Sequence, residues 1–348
     1  MGARMLSAAP PLTDGVRFMD GSKGRWAGER FMEALKRGEK ISPSHLRLLD
    51  TNTNGLLRRD EWLSFDRELL LEAQIRLRGV QDLINLGLVK KIPNGLAKTI
   101  LEWQAVTDMD PATVSMSGVT RSENDRVEFE IEGLPLPITH KDFYLDLRLL
   151  LASRSEGYES LDTTHLRVAG RKCAEMTEDM LFNGGKTFAG RPIYGYTTHP
   201  LRHTSGYGTG GAWGAGGKTG EQMLVDLQTG LSILEADRQY GPYGVYVGAD
   251  ASVPLGSDFK AQSDKTIRQR LLETDNISFI RVADKLPDGE MVIVQLTSDV
   301  VVMVEGEPLQ TVQWDVHGGF QINFKAFQIM VPLIRVDAEG RSGIVHFA

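Results

Sequence analysis

Hydrophobic positions in the first third of the chain follow a helical period. Between Arg59 and Gly87 they recur every three or four residues, which predicts a long helix with one buried face. Shorter helices are predicted over residues 27–37 and 97–106. We therefore expect the chain to begin with helices.

The pattern then changes to the period of a β-strand. Residues 126–133 alternate strictly between apolar and acidic side chains, so one face of the strand is apolar and the other is negatively charged. A looser alternation at 113–120, with turn-forming residues at 121–125 between the two, predicts a long hairpin. An isolated two-stranded hairpin is marginal in water, so we expect this one to rest on its own domain or on a neighbouring subunit. The residues expected at the inter-subunit contact are Arg126, Glu128, Glu130 and Glu132.

The clearest helical pattern spans residues 161–185. Its apolar stripe has spacings of three and four residues, and Asn183-Gly184-Gly185 is typical of a helix end. The stripe is expected to face the core and consists of Leu166, Ala169, Cys173, Met176 and Met180. A glycine-rich stretch follows at 184–218, and a second helix is predicted over 219–239.

The last third of the chain is predicted to be mostly strand. A helix at 263–273 interrupts the strands, and the mixture predicts the α+β fold class. The predicted strands cover residues 244–250, 277–283, 290–296, 300–306 and 318–336.

Composition is that of an ordinary globular protein. The 348 residues, 41% of them hydrophobic, are enough to bury one or two cores. No apolar run approaches the roughly 20 residues that span a bilayer, so we expect no membrane partner. The single cysteine, Cys173, excludes an intramolecular disulfide and is typical of synthesis in a reducing cytosol. The net charge is −7, but the first 47 residues carry nine basic and five acidic residues and form a mildly basic arm of net charge +4.

Residues 212–219, AWGAGGKT, fit a loose phosphate-loop pattern. A working loop of this kind directly follows a buried strand, whereas residues 198–211 do not read as a buried strand. Thr219 and Gln222 also have the spacing of a helix capping box, which gives the threonine a structural role. We therefore expect no nucleotide and no other cofactor.

Residues 50–61, DTNTNGLLRRDE, resemble a calcium-binding loop. Asparagine at two ligand positions, two adjacent arginines and the lack of a second loop all weaken this interpretation, and a polar loop that caps a helix is the alternative. The candidate calcium ligands are Asp50, Asn52, Asn54 and Glu61.

Histidines 199 and 203 have the spacing of zinc ligands on a helix, but Pro200 and the surrounding glycines disfavour a helix there. We expect no metal site at this pair. No serine, histidine and aspartate set or cysteine and histidine set stands out by spacing. We therefore expect a protein that is not an enzyme.

Several long segments resemble the major capsid proteins of tailed phages and prophages, in the branch closest to the encapsulin shell proteins. The segments are RVEFEIEGLPLPITHKDFYLDLRLLLASR (126–154), LDTTHLRVAGRKCAEMTEDMLFNG (161–184), IYGYTTHP (193–200), LLRRDEW (56–62) and PLIRVDAEGRSGIVHF (332–347). The resemblance implies the Hong Kong 97-like fold, in which 161–183 would be the long spine helix.

The resemblance also implies a division into domains. Residues 1–87 would form the N-terminal arm and its helix, and 107–140 would form the extended β-hairpin loop. Residues 88–106, 141–218 and 311–348 would form the peripheral domain, and 219–310 the axial domain. The chain has no lysine between Ala105 and His140, so a covalent cross-link from the hairpin is not expected.

The implied function is that of an icosahedral shell around double-stranded DNA in a virion assembled in the host cytoplasm. The expected partners are copies of the chain in pentamers and hexamers, scaffold, portal and decoration proteins, and DNA bound without sequence readout. The basic arm is the candidate for contacting DNA. Two alternatives stay open, an encapsulin-type nanocompartment shell and, more remotely, a calcium- or nucleotide-binding protein.

Overall fold

A computed structural model describes residues 77–106, 129–148, 161–214, 216–260, 264–317, 320–337 and 339–348, with a few isolated positions between 109 and 126. The helix predicted over 27–37, the calcium loop and most of the helix predicted from Arg59 lie outside these residues. In the described part, no helix is both long enough and apolar enough to cross a membrane.

The described helices differ greatly in length. The long helix α2 follows the predicted apolar stripe, and the shorter α3 and α5 each begin with a threonine capping box, Thr219 with Gln222 and Thr266 with Gln269. The helices are α1 Gly79–Asn85, α2 Leu161–Phe182, α3 Gly220–Ala236, α4 Ser252–Gly256 and α5 Ile267–Leu272.

The strands form two larger sheets and two ribbons. A four-stranded sheet has the order β1-β11-β12-β4, and a five-stranded sheet has the order β7-β13-β10-β8-β9; β2 pairs with β3, and β5 with β6. The strands are β1 Val89–Lys91, β2 Ile100–Val106, β3 Phe129–Pro135, β4 Thr139–Asp146, β5 Lys186–Phe188, β6 Arg191–Ile193, β7 His203–Ser205, β8 Tyr243–Val247, β9 Ile277–Val282, β10 Met291–Gln295, β11 Val301–Val316, β12 Gln321–Ile334 and β13 Ile344–Phe347.

The chain divides into two compact units, and the smaller contains the described residues of 141–169 and 311–326. In this unit Phe143 of β4 stacks on Phe324 of β12, with ring centroids 5.0 Å apart. The ring of His165 on α2 lies parallel to Phe143 at 6.3 Å. On the opposite face of the strands, Lys325 pairs with Asp142 at 3.5 Å. The small unit thus has an aromatic side and a charged side.

The larger unit contains the five-stranded sheet, which is buried on both faces. Successive residues of β10 belong to different clusters: Val292 lies in one with Leu83 and Phe182, and Ile293 lies in the other with Leu227. Helices α1 and α2 therefore cover one face, and α3 covers the other. This double burial explains why residues 291–294 are continuously apolar rather than alternating.

Three sequence predictions are corrected by the structure. The helix predicted to reach Gly87 does not continue unbroken through the described residues, because Leu77 and Arg78 are not helical and α1 spans only Gly79–Asn85. The helix predicted over 97–106 is strand β2 instead. The partner of the acidic strand is β2 rather than 113–120, with Val106 opposite Phe129 and Ile100 opposite Pro135.

Tertiary packing accounts for the error at 97–106. Leu101 and Trp103 of β2 pack on a small cluster that contains Ile193 and Ile329, so the strand gains cross-strand and core contacts that local helix propensity does not reveal. The other predicted helices and strands of the described region are present, with ends that differ by a few residues. Strand β11 is the exception, because it continues ten residues beyond the predicted end at Gly306.

Candidate functional site

An open cleft of about 860 Å³ lies at the base of the β2–β3 hairpin. Four segments of the larger unit form it: the hairpin, strand β6 with the residue after it, residues 199–201, and the end of β12 with the chain beyond. The lining residues that matter most are Trp103, Ile131, Glu132, Arg191, Leu201 and Arg335. We refer to this feature as the hairpin cleft.

The hairpin emerges from the core just before it reaches the cleft. Leu134 of β3 is buried opposite Leu101, whereas Glu132, opposite Trp103, is exposed. Ile131 next to it is 65% exposed. The strand thus presents both an acidic and an apolar residue to solvent at the cleft.

Gly133 allows an arginine to cross the hairpin. A Cβ atom at this position would lie 1.5 Å from Nη1 of Arg191, so any side chain on Gly133 would collide with the guanidinium. The lack of a side chain therefore determines where the β6 arginine can lie. Arg191 lines the cleft from that position.

The cleft contains a second guanidinium. The Nε atom of Arg335 is buried and has no hydrogen-bond partner in the described part of the chain. Among the same residues, neither Arg191 nor Arg335 takes part in a salt bridge, and Arg341, which lies 3.8 Å from the nearby Asp337, also pairs with Glu339. A buried donor without a partner is costly, so an acceptor from outside the described residues is favoured here.

The two histidines of residues 199–203 do not form a joint site. Burial, with a contribution from the Arg202 charge, lowers the pKa of His199 to about 4, so its ring is neutral at pH 7. Its Nδ1 accepts a hydrogen bond from the backbone N–H of Leu201 at 3.3 Å. His203 instead contacts Asp237, with Nε2 and Oδ2 2.5 Å apart. Over the described residues, no cluster of three or more histidine, cysteine or acidic side chains suits a metal ion.

The phosphate-loop motif is occupied by an internal carboxylate. The side chain of Lys218 is fully buried and forms a salt bridge with Asp226 of α3. Asp226 also accepts hydrogen bonds from Nε1 of Trp213 at 2.9 Å and from the backbone N–H of Gly208 at 3.0 Å. The ammonium lies 4.9 Å from the Tyr207 ring centre. This lysine is therefore not available to a nucleotide phosphate.

The remaining predicted site residues are only partly described. The calcium candidates Asp50, Asn52, Asn54 and Glu61 lie outside the described residues, as does Glu128. Arg126 is exposed, and Glu130 lies on β3 opposite Ala105. On α2 the structure buries Leu166, Ala169, Cys173 and Met180, whereas Met176 is half-buried beside Lys186.

Sequence reasoning found Glu132 but missed Gly133, Arg191 and Arg335. The only signal was the glycine that ends the strict alternation of residues 126–132, because a glycine inside a strand often marks a close approach. Nothing in the sequence indicated which residue approaches it. The described lining of the cleft contains no serine, cysteine or lysine.

Comparisons with known proteins agree with a shell-protein fold. A virus-like particle from Pyrococcus furiosus is 17% identical, with a TM-score of 0.57, over 82% of this chain and 98% of the other. The capsid of Myoviridae phage XM1 is 13% identical, with a TM-score of 0.55, over 75% of this chain and 90% of the other. The capsid of a native gene transfer agent particle is 12% identical, with a TM-score of 0.53, over 75% of this chain and 88% of the other.

These structural matches confirm the predicted fold resemblance, and at such low identities they show the fold alone. No curated protein sequence matches the chain significantly. A family described as one of unknown function, DUF6260, matches residues 51–347. The protein therefore belongs to the DUF6260 family and has the Hong Kong 97-like α+β fold of tailed-phage capsids and related particles.

Proposed function

We propose that this protein is the major capsid protein of a tailed phage or prophage. The observation that carries the proposal is the shared fold, since the XM1 capsid protein matches over 90% of its own length. The exposed hairpin base adds support because a two-stranded ribbon with exposed Ile131 gains stability when it lies on another subunit. The function follows from geometry rather than chemistry: one fold would repeat around five-fold and six-fold axes.

The proposal assigns a role to each part of the chain. Residues 1–87 are the N-terminal arm and 107–140 the extended hairpin loop. Residues 88–106, 141–218 and 311–348 are the peripheral domain, and α2 is its spine. Residues 219–310 are the axial domain, which includes α3 and strands β8 to β10.

The partners follow from the same proposal. Copies of the chain form pentamers and hexamers, scaffold and portal proteins direct assembly, and decoration proteins reinforce the shell. The enclosed double-stranded DNA is bound through phosphates without sequence readout, with the basic arm as the contact. Assembly takes place in the host cytoplasm, and the protein acts in the virion as a structural component rather than an enzyme.

A nanocompartment shell is the second candidate function. The Pyrococcus furiosus virus-like particle matches this chain over 98% of its own length, more than the phage and gene transfer agent capsids above. A shell with this fold can enclose a protein instead of a genome. The two candidates differ in contents rather than in architecture.

The deciding experiment is expression of the chain alone and negative-stain electron microscopy of the soluble fraction. Closed particles or regular rings of subunits would support a shell protein. The ratio of absorbance at 260 and 280 nm and mass spectrometry of co-purified proteins would then separate a capsid from a nanocompartment. A monomer that stays dispersed at high concentration, alone and with the proteins encoded beside it co-expressed, would contradict both.

A further inference from the structure

We propose that Glu178 of α2 is a proton-controlled switch, which holds the first turn of α1 in place when its carboxyl group is protonated and releases this turn when the group is ionised. The inference goes beyond the proposed function and does not depend on it, because it concerns a contact inside one chain. The contact lies where the preceding chain enters the described part of the larger unit. The switch therefore controls how that chain is attached.

The first turn of α1 lies directly on the end of α2. A Cβ atom at Gly79 would be 3.0 Å from side-chain atoms of both Leu181 and Phe182, so the two helices are in tight contact here. Leu77 and Val80 are buried in the same apolar cluster as these two residues. The interface between the helices is thus close-packed, and a polar group inside it is kept from water.

Glu178 places a carboxyl group inside this interface. The residue is 4% exposed, and its two oxygens accept hydrogen bonds from the backbone N–H groups of Gly79 and Val80. In the described part of the chain no cation forms a salt bridge with Glu178, whereas the neighbouring Asp82 is paired with Arg281. The ionised form is therefore a buried charge that has backbone donors but no counter-ion, and this is unfavourable.

The surroundings of Glu178 also oppose its ionisation. Burial raises its pKa to about 7, and the charge of Asp82 adds to this effect against the backbone hydrogen bonds. The buried hydroxyl of Tyr196 has no hydrogen-bond partner among the described residues, and burial together with the two carboxylates raises its pKa, so it stays neutral. The titratable and charged side chains that face Glu178 or Asp82 are Arg78, Glu175, Tyr196, Tyr246, Arg281, Asp284 and Lys285.

A cavity of about 200 Å³ gives the carboxyl group access to solvent. Glu178 lines it together with Arg78 and Glu175, and residues 284–285 complete the wall. When Glu178 ionises, its proton passes to water in this cavity. Movement of the first turn of α1 away from α2 widens the cavity and allows water to hydrate the carboxylate, which relieves the cost of the buried charge.

Native-state hydrogen exchange of the full chain tests the switch. Ionisation favours the released form, so release should increase as the pH rises through about 7. After correction for the intrinsic exchange rate, the protection of amides 79–82 should fall roughly 50-fold between pH 5 and 8. E178Q should lose most of this change, because its side chain stays neutral.

The matched control is E175Q, which alters the same helix and the same cavity. The hydrogen bond from Lys172 lowers the pKa of Glu175, so this residue is already ionised at pH 5 and E175Q should keep the full pH dependence. A pH dependence in E178Q equal to that of E175Q and wild type would overturn the inference.

Strand β10 distinguishes local release from global unfolding. All its residues are buried, so its amides exchange when the whole unit unfolds. The first turn of α1 should be less protected than β10 at every pH, and its exchange should be insensitive to low concentrations of urea. Equal protection of the two elements would show that α1 is released only by global unfolding, and it would overturn the inference.

Cleavage by trypsin at a single pH provides a second test. Arg78 is exposed and precedes Gly79, so release of the turn makes the bond between them accessible. At pH 8 the fragment that begins at Gly79, identified by mass spectrometry, should form at least about tenfold more slowly from E178Q than from wild type or E175Q. Equal rates in the three proteins would contradict the switch. Both tests need only the folded chain, so a chain that never assembles would overturn the proposed function and leave them valid.

Discussion

Glu178 on α2 is a carboxylate buried against the start of another helix. Its Oε1 accepts a hydrogen bond from the N–H of Gly79 at 2.6 Å, and its Oε2 accepts one from Val80 at 3.2 Å. Burial raises the pKa of Glu178 to about 7, although these hydrogen bonds and that of Arg78 oppose the shift and the Asp82 charge adds to it. The pKa of Asp82 is also raised by burial, against the opposing charge of Arg281.

These pKa shifts predict that stability decreases as the pH rises. Because the folded pKa of Glu178 exceeds its ordinary value of 4.5, the stabilising contribution is complete below about pH 4.5 and is lost as the pH rises through about 7. Between pH 5 and 8 the free energy of unfolding should fall by about 2–3 kcal/mol from this residue. Urea denaturation of E178Q should show a smaller decrease in the free energy of unfolding between pH 5 and 8, because only the contribution of Asp82 remains.

The control for this prediction is E221Q, because Glu221 is exposed and pairs with Lys260 at the surface. This variant should keep the full pH dependence of the wild-type protein. An equal decrease in E178Q and wild type would show that Glu178 does not couple folding to proton binding.

The second prediction at the residue scale concerns Lys218. K218M would leave Asp226 buried without its cation, at a cost of roughly 3–5 kcal/mol in the free energy of unfolding. The control K260M breaks an exposed pair with Glu221 and should cost less than about 1 kcal/mol. Urea denaturation measures both, and similar losses in the two variants would contradict the buried role. ATP should not change the melting temperature of the wild-type protein.

At the scale of elements, sequence periodicity predicted the helices whose apolar stripe and end signals lie within the element itself. The stripe and the stop signal of α2, and the capping box of α3, identified both helices to within a few residues. Strand β2 was missed because its contacts come from β3, about 30 residues later in the chain. The same limit applies to the cleft: Glu132 stood out by alternation, whereas Arg191 and Arg335 join it only through the fold.

The buried stripe of α2 leads to a prediction for this element. C173Q would place a larger polar side chain at a position that is 1% exposed, and it should destabilise the subunit by roughly 3 kcal/mol or more. V168Q changes the same helix at a residue that is 40% exposed and should stay within about 0.5 kcal/mol of wild type. Thermal melting and soluble yield distinguish the two, and a tolerant Cys173 would mean that the stripe does not face a close-packed core.

At the scale of the whole molecule, several large apolar side chains remain exposed in the single chain. They include Val225, Tyr240 and Val253 in the residues assigned to the axial domain, besides Ile131 at the cleft. Isolated exposed hydrophobic residues are common, but several of them on a chain with a shell-protein fold agree with burial between subunits. The sequence could not locate these surfaces, because the packing of the folded chain decides which apolar side chains stay exposed.

Assembly should therefore stabilise the subunit. Contacts made only by the folded chain raise the apparent stability through mass action. We expect the melting temperature of assembled particles to exceed that of unassembled subunits of the same sequence by several degrees, measured by calorimetry at equal protein concentration. Equal values would mean that subunit contacts contribute little to stability.

The surroundings of Asp226 have a consequence for interpreting related sequences. A backbone N–H, an indole N–H and a lysine ammonium converge on its carboxylate, the kind of donors that a phosphate group attracts. The glycine-rich segment is folded around an anion that the protein itself supplies, eight residues after the lysine. In a relative with the same GKT string, an aspartate eight residues after the lysine would indicate that the protein's own carboxylate occupies the loop. A neutral residue at that position would leave the lysine free to bind a phosphate.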